Sequence, residues 1–139
     1  LTGCCGEPND LVPEEFEAGQ IVWNQTYGRK DVAPRVVWVT QNLVCSDNHG
    51  WLNSDDTCTF GLTMTGLCVD ILVALPEEFA PPNTKISKTS YPHELYHAYM
   101  YKHGLKEDQN HSDPAFGIRY GHPYGLVDQA EDNLKAVGL

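Results

Sequence analysis

The sequence predicts an α+β fold: a small twisted sheet packed on a helix that carries the candidate chemistry, with further helices near both ends. Three observations carry this expectation. Residues 35–40, Arg-Val-Val-Trp-Val-Thr, are β-branched and aromatic, the composition that strands favour. Residues 68–75 are almost unbroken apolar, as a strand buried on both faces would be. Residues 91–103 hold Pro92 near their start and meet Gly104 just past their end, the punctuation of a helix.

The remaining elements follow in chain order. A length of 139 residues fits one domain. With 41% apolar and 20% charged residues the chain can build a core, so general disorder is excluded. Residues 1–13 are polar and rich in Gly and Pro, which suits a tether. Pro13-Glu14-Glu15-Phe16 opens a helix-like run to about Tyr27, with acids in the first turn and Phe16, Ile21 and Trp23 among its apolar residues. After the first strand, residues 57–65 and 67–75 read as two more, and Pro76, Pro81 and Pro82 break the pattern. Ser90 can cap the helix at 91–103, and a last helix covers about 126–137. Residues 14–139 thus form the folded domain.

Charge sets the first functional limit. Nine Lys and Arg against nineteen Asp and Glu give a net charge of −10, so a nucleic-acid backbone is repelled and no nucleic-acid partner is expected. Five of the six histidines fall between residues 93 and 122, which places the candidate chemistry in the last third.

Leu1-Thr2-Gly3-Cys4 resembles the lipobox of bacterial lipoproteins, in which a leader is cut before a cysteine that receives lipid. That resemblance implies a membrane anchor at Cys4 and an extracytoplasmic home. Lipidation of Cys4 leaves Cys5, Cys45, Cys58 and Cys68, enough for two disulfides in any of three connectivities. A bridge between Cys45 and Cys58 would close an acidic loop and stabilise the domain by ~2–4 kcal/mol. That loop holds Asp47, Asn48, Asp55 and Asp56, but their spacing matches no calcium loop.

His93-Glu94-Leu95-Tyr96-His97 matches H-E-x-x-H. On a helix, residues four apart share a face, so both imidazoles reach one zinc. Glu94 projects about 100° further round, beside the metal, where it can take a proton from water. Leu95, Ala98 and Tyr99 lie on the opposite arc and supply a core face. A catalytic zinc needs a third protein ligand. His103 has the spacing of the longer pattern H-E-x-x-H-x-x-G-x-x-H, but Met100 stands where that pattern has its chain-reversing glycine. On a continuous helix His103 lies ~15 Å along the axis from His93, out of reach. His111 follows a polar link able to fold back, just ahead of a helix start at Asp113-Pro114, with Phe116 able to pack beneath it. Asp113 and Glu131 remain alternatives.

His93, Glu94, His97, His111 and Phe116 together resemble the zincin metallopeptidases, and the third-ligand spacing is similar to that of SprT-like proteins. The resemblance covers about residues 91–116. It implies a zincin-like domain, zinc as cofactor on His93, His97 and His111, and Glu94 as general base. Ser112 replaces the glycine of the SprT-like pattern, and no basic region or zinc ribbon follows, so action on DNA-bound proteins is not carried over. Peptide hydrolysis also needs a donor for the tetrahedral oxyanion. Within Arg119-Tyr120-Gly121-His122-Pro123-Tyr124-Gly125, Tyr124 or His122 is expected to supply it. The expectation is a zinc peptidase acting on a peptide or protein. The alternative is an extracytoplasmic binding lipoprotein whose zinc site only fixes the fold.

Overall fold

A computed structural model describes residues 10–39, 61–65, 69–74, 84–106 and 110–139. The lipobox-like start, all five cysteines, the acidic loop with Asp47, Asn48, Asp55 and Asp56, and the expected strand ends at 57–60, 67–68 and 75 lie outside these residues.

Helix α1 spans Pro13–Gln25. Pro13 suits its first turn, where an N–H is not needed, and Glu14 and Glu15 meet the positive end of the helix dipole. The Glu15 carboxylate reaches back to accept the Val12 N–H at 3.2 Å. Glu15, Ala18, Gly19, Val22 and Trp23 recur at helical spacing and form the buried face. At Gly19 any side chain would collide with the Tyr91 hydroxyl, so the glycine permits the next helix to approach. Ile21 lies off this face and is exposed.

Strands β1 (Arg35–Val39), β2 (Gly61–Met64) and β3 (Asp70–Ala74) make a mixed sheet in the order β1-β3-β2. β1 runs parallel to β3 with Arg35 opposite Asp70, and β2 runs antiparallel to β3 with Leu62 opposite Leu72. The nearly continuous apolar run is therefore the central strand, with Ile71 and Val73 fully buried. Arg35 and Asp70 pair in two-pronged fashion, Nε to Oδ1 at 3.0 Å and Nη2 to Oδ2 at 2.6 Å. The chain ahead of α1 is not a free tether at its inner end. Asp10 N–H donates to Val36 O at 2.9 Å, Asp10 Oδ2 accepts from Trp38 N–H at 2.8 Å, and Leu11 is buried in the core. β1 thus has a hydrogen-bonded neighbour on its outer side.

Helix α2 spans Tyr91–Lys102 and packs on β2 and β3. Ser90 precedes it without a side-chain capping bond. The cap comes one residue earlier: Thr89 Oγ1 accepts the Tyr91 N–H at 3.0 Å while donating to Ile86 O at 2.7 Å. At the other end Gly104 is left-handed with φ 70°, and Gly104 and Leu105 N–H groups return to the Tyr101 and Met100 carbonyls. This is the Schellman closure that glycine makes possible. Helix α3 spans Leu126–Ala136 and packs against both α1 and α2 through Val127, Ala130 and Leu134. The core between sheet and helices contains Val36, Ile71, Val73, Trp23, Leu95, Ala98 and Leu134. Short 3-10 turns at Pro114–Phe116 and Ile118–Tyr120 fill the segment between α2 and α3, in place of the helix expected to begin at Asp113-Pro114.

Candidate metal centre

α2 presents His93 and His97 one turn apart, and their Nε2 atoms lie 3.1 Å from each other. His111 arrives from the segment beyond α2 and places its Nε2 3.1 Å from that of His93. Among the described residues these three form a group able to hold a metal ion, with all ligand atoms within 4.8 Å of one another. Two nitrogens bound to one tetrahedral zinc at 2.0–2.1 Å stand about 3.3 Å apart, close to the two 3.1 Å spacings at His93. The chemistry agrees. A neutral imidazole offers one lone pair, and lone pairs aimed at a common point repel until a cation joins them. Burial, and then the neighbouring His97 and His111, push His93 down to about 3, so it stays neutral and able to ligate at physiological pH.

Aromatic rings set the walls. Phe116 is fully buried, and its ring centre lies 5.2, 5.0 and 4.7 Å from those of His93, His97 and His111. It is the common floor of the three histidines, a wider role than packing beneath His111. Tyr120 stacks on the outer face of His111 at 4.2 Å and 14°, and its ring is 5.5 Å from His93. Burial and the charge of Glu94 raise the Tyr120 phenol above its ordinary value, so it remains a proton donor at neutral pH.

Glu94 is buried, with Oε2 4.0 Å from His93 Nε2. Its orientation is set from the sheet. The Thr63 hydroxyl on β2 lies 2.9 Å from Glu94 Oε1 and 2.9 Å from the Glu94 carbonyl oxygen, both acceptors for its single proton. Two residues earlier on the same strand face, Gly61 leaves room for this approach: a Cβ there would stand 3.0 Å from Glu94 Cγ. Sequence reasoning missed Thr63. The available signal was a polar residue between apolar ones, Leu62-Thr63-Met64, in the strand expected at residues 57–65.

The other sequence candidates lie elsewhere. His103 closes α2, and its ring rests on Tyr99 at 4.3 Å. Asp113 is not in the histidine group: Oδ1 accepts from Ala115 N–H, capping the turn that carries Phe116, and Oδ2 accepts from the Tyr96 hydroxyl at 2.9 Å. Glu131 pairs with Lys135 on α3 at 2.8 Å. Tyr124 is 56% exposed and its hydroxyl donates to Asp132, so the tyrosine brought to the histidines is Tyr120, four residues earlier. His122 is hydrogen-bonded through Nε2 to the His111 carbonyl oxygen at 2.9 Å.

The three expected histidines therefore come together, and the tyrosine ring against them is that of Tyr120. Comparison with family models, with curated proteins and with solved structures gave no match to this chain, so its functional reading rests on this geometry.

Proposed function

We propose that the protein is a zinc-dependent peptidase of zincin-like design. The observation that carries the reading is a buried carboxylate, Glu94, held 4.0 Å from the nearest nitrogen of a three-histidine group. His93, His97 and His111 would hold the ion, and three neutral imidazoles favour zinc over the hard oxygen-seeking cations. When bound there, zinc would supply Lewis acidity to a water molecule and to a carbonyl.

The chain's own groups do the rest. Glu94 Oε2 accepts the proton of the attacking water and returns it to the leaving amine, while Thr63 fixes Oε1. Tyr120, at the exposed side of His111, supplies the hydrogen bond to the oxygen that gains charge. Phe116 keeps the inner side dry, which strengthens each of these interactions. The half-buried histidines leave the cluster reachable by a polypeptide.

The proposed setting is extracytoplasmic, with Cys4 lipidated and the other cysteines paired. Its support is the sequence alone; among the described residues no helix is long and apolar enough to cross a membrane.

Glu94→Gln tests the reaction. It preserves size and polarity but removes the base, so zinc content and fold should persist while hydrolysis of an unfolded protein falls at least ~10²-fold. Undiminished cleavage would reject the mechanism. A zinc-loaded wild type silent on diverse peptides would instead favour the binding lipoprotein.

A further inference from the structure

We infer that His122 is a positioning residue for the metal centre, a latch that holds the third ligand, His111, in a backbone conformation it would otherwise leave. The inference rests on the metal reading of the three histidines and does not require that the protein be a peptidase.

His111 is the one non-glycine residue with positive φ among the described residues, at 56°. In that left-handed region Cβ crowds the backbone, and residues without a local device to compensate return to negative φ. The conformation is functional here, because it is what turns the imidazole back toward His93 after the link from α2. A strained ligand needs restraint from its surroundings. Two restraints are visible, and they act on different atoms. Tyr120 and Phe116 grip the ring, at 4.2 and 4.7 Å between centres. His122 grips the backbone: its Nε2 lies 2.9 Å from the His111 carbonyl oxygen.

A carbonyl oxygen only accepts, so the proton must sit on His122 Nε2, and this bond fixes the tautomer. The latch is itself braced. His122 N–H donates to Gly117 O at 3.2 Å, and Gly117 turns at φ 82° where a side chain would strike the Asp128 carboxylate. Asp128 in turn accepts from Ile118 N–H at 3.1 Å and Gly125 N–H at 2.9 Å, fastening both ends of the loop to α3. The path from α3 to the third ligand is thus a continuous set of hydrogen bonds with His122 as its last member.

Removing an outer partner of a metal ligand typically lowers metal affinity 10–100-fold. His122→Phe keeps a ring and removes the donor, whereas His122→Gln keeps an N–H donor on a side chain of similar reach. Zinc affinity, measured by competition with a chromophoric chelator, should fall 10–100-fold in His122→Phe and by less in His122→Gln. The cobalt-loaded His122→Phe protein should show an altered visible absorption band, since the third nitrogen is displaced, while apo-protein circular dichroism stays unchanged. Equal zinc affinity in wild type and His122→Phe overturns the latch and leaves the metal centre standing. Failure of the wild type to bind zinc overturns both. If His122→Phe does not fold, the wild type decides by nitrogen-15 NMR: a slowly exchanging proton on His122 Nε2 supports the latch, and an Nδ1–H tautomer refutes it.

Discussion

A carboxylate beside the three-histidine group has two oxygens and two uses, and at Glu94 the fold separates them. Oε1 accepts from Thr63, so Oε2 is the atom left facing the histidines. Thr63→Val removes the hydroxyl with almost no change of volume. If Thr63 orients the base, kcat should fall roughly 10-fold with KM and zinc content unchanged, and Thr63→Ser should recover most of it. An unchanged kcat in Thr63→Val would show that packing alone orients Glu94. This residue marks where sequence reading stops. His93, Glu94 and His97 share four consecutive helical intervals, so helix geometry alone brings them together. Thr63 and Glu94 are 31 positions apart, and only the pairing of β2 with β3 and the seat of α2 on them create the contact. The sequence reading favours Tyr124 or His122 over Tyr120 for want of the same long-range information. Both sit in one turn-rich stretch, and the turn at Ile118–Tyr120 decides which ring meets His111.

At the scale of elements, the two ends of α2 show how far local chemistry is readable. Its C-terminus behaves as Gly104 foretells, whereas its N-terminal cap passes from Ser90 to Thr89 because the turn at Ile86–Lys88 brings the threonine hydroxyl under Tyr91. The strand cores at 35–39 and 70–74 follow from composition, and their order does not, since a parallel β1-β3 pair depends on a crossing connection rather than on pattern. The least legible element is the loop from His111 to Gly125, which a helix signal at Asp113-Pro114 describes only in its first turn. Its rigidity depends on one carboxylate. Asp128→Ala should leave two backbone N–H groups of the loop without their acceptor and cost about 1–2 kcal/mol of stability in urea unfolding. A loss below ~0.3 kcal/mol would mean that solvent replaces Asp128 without penalty.

Across the whole molecule, Asp31 ties the segment after α1 to the end of α2. Its carboxylate accepts from Trp23 Nε1 at 3.0 Å, Arg29 Nε at 3.1 Å and Lys102 Nζ at 2.9 Å. Burial works to raise its pKa, but these hydrogen bonds outweigh it and hold the group well below the usual carboxylate range. The folded pKa is therefore the lower one. Its contribution to stability is present above the unfolded value near 4 and fades as pH falls through the acid range. With the side chain 35% exposed, solvent screening limits the effect to about 1 kcal/mol. Asp31→Asn should be less stable than wild type at pH 7, and the gap should narrow progressively as pH falls below about 4 in guanidinium titrations. A gap independent of pH would assign the loss to packing around Trp23 instead.

The three histidines belong to two kinds of chain. His93 and His97 ride on a regular helix whose spacing is set before any cation arrives, while His111 stands on a left-handed residue in an irregular segment. Under the proposed metal reading the site is therefore sensitive to change in two unlike ways. A substitution that shifts α2 moves two nitrogens together and keeps their spacing. One that shifts the loop moves a single nitrogen and spoils the whole set.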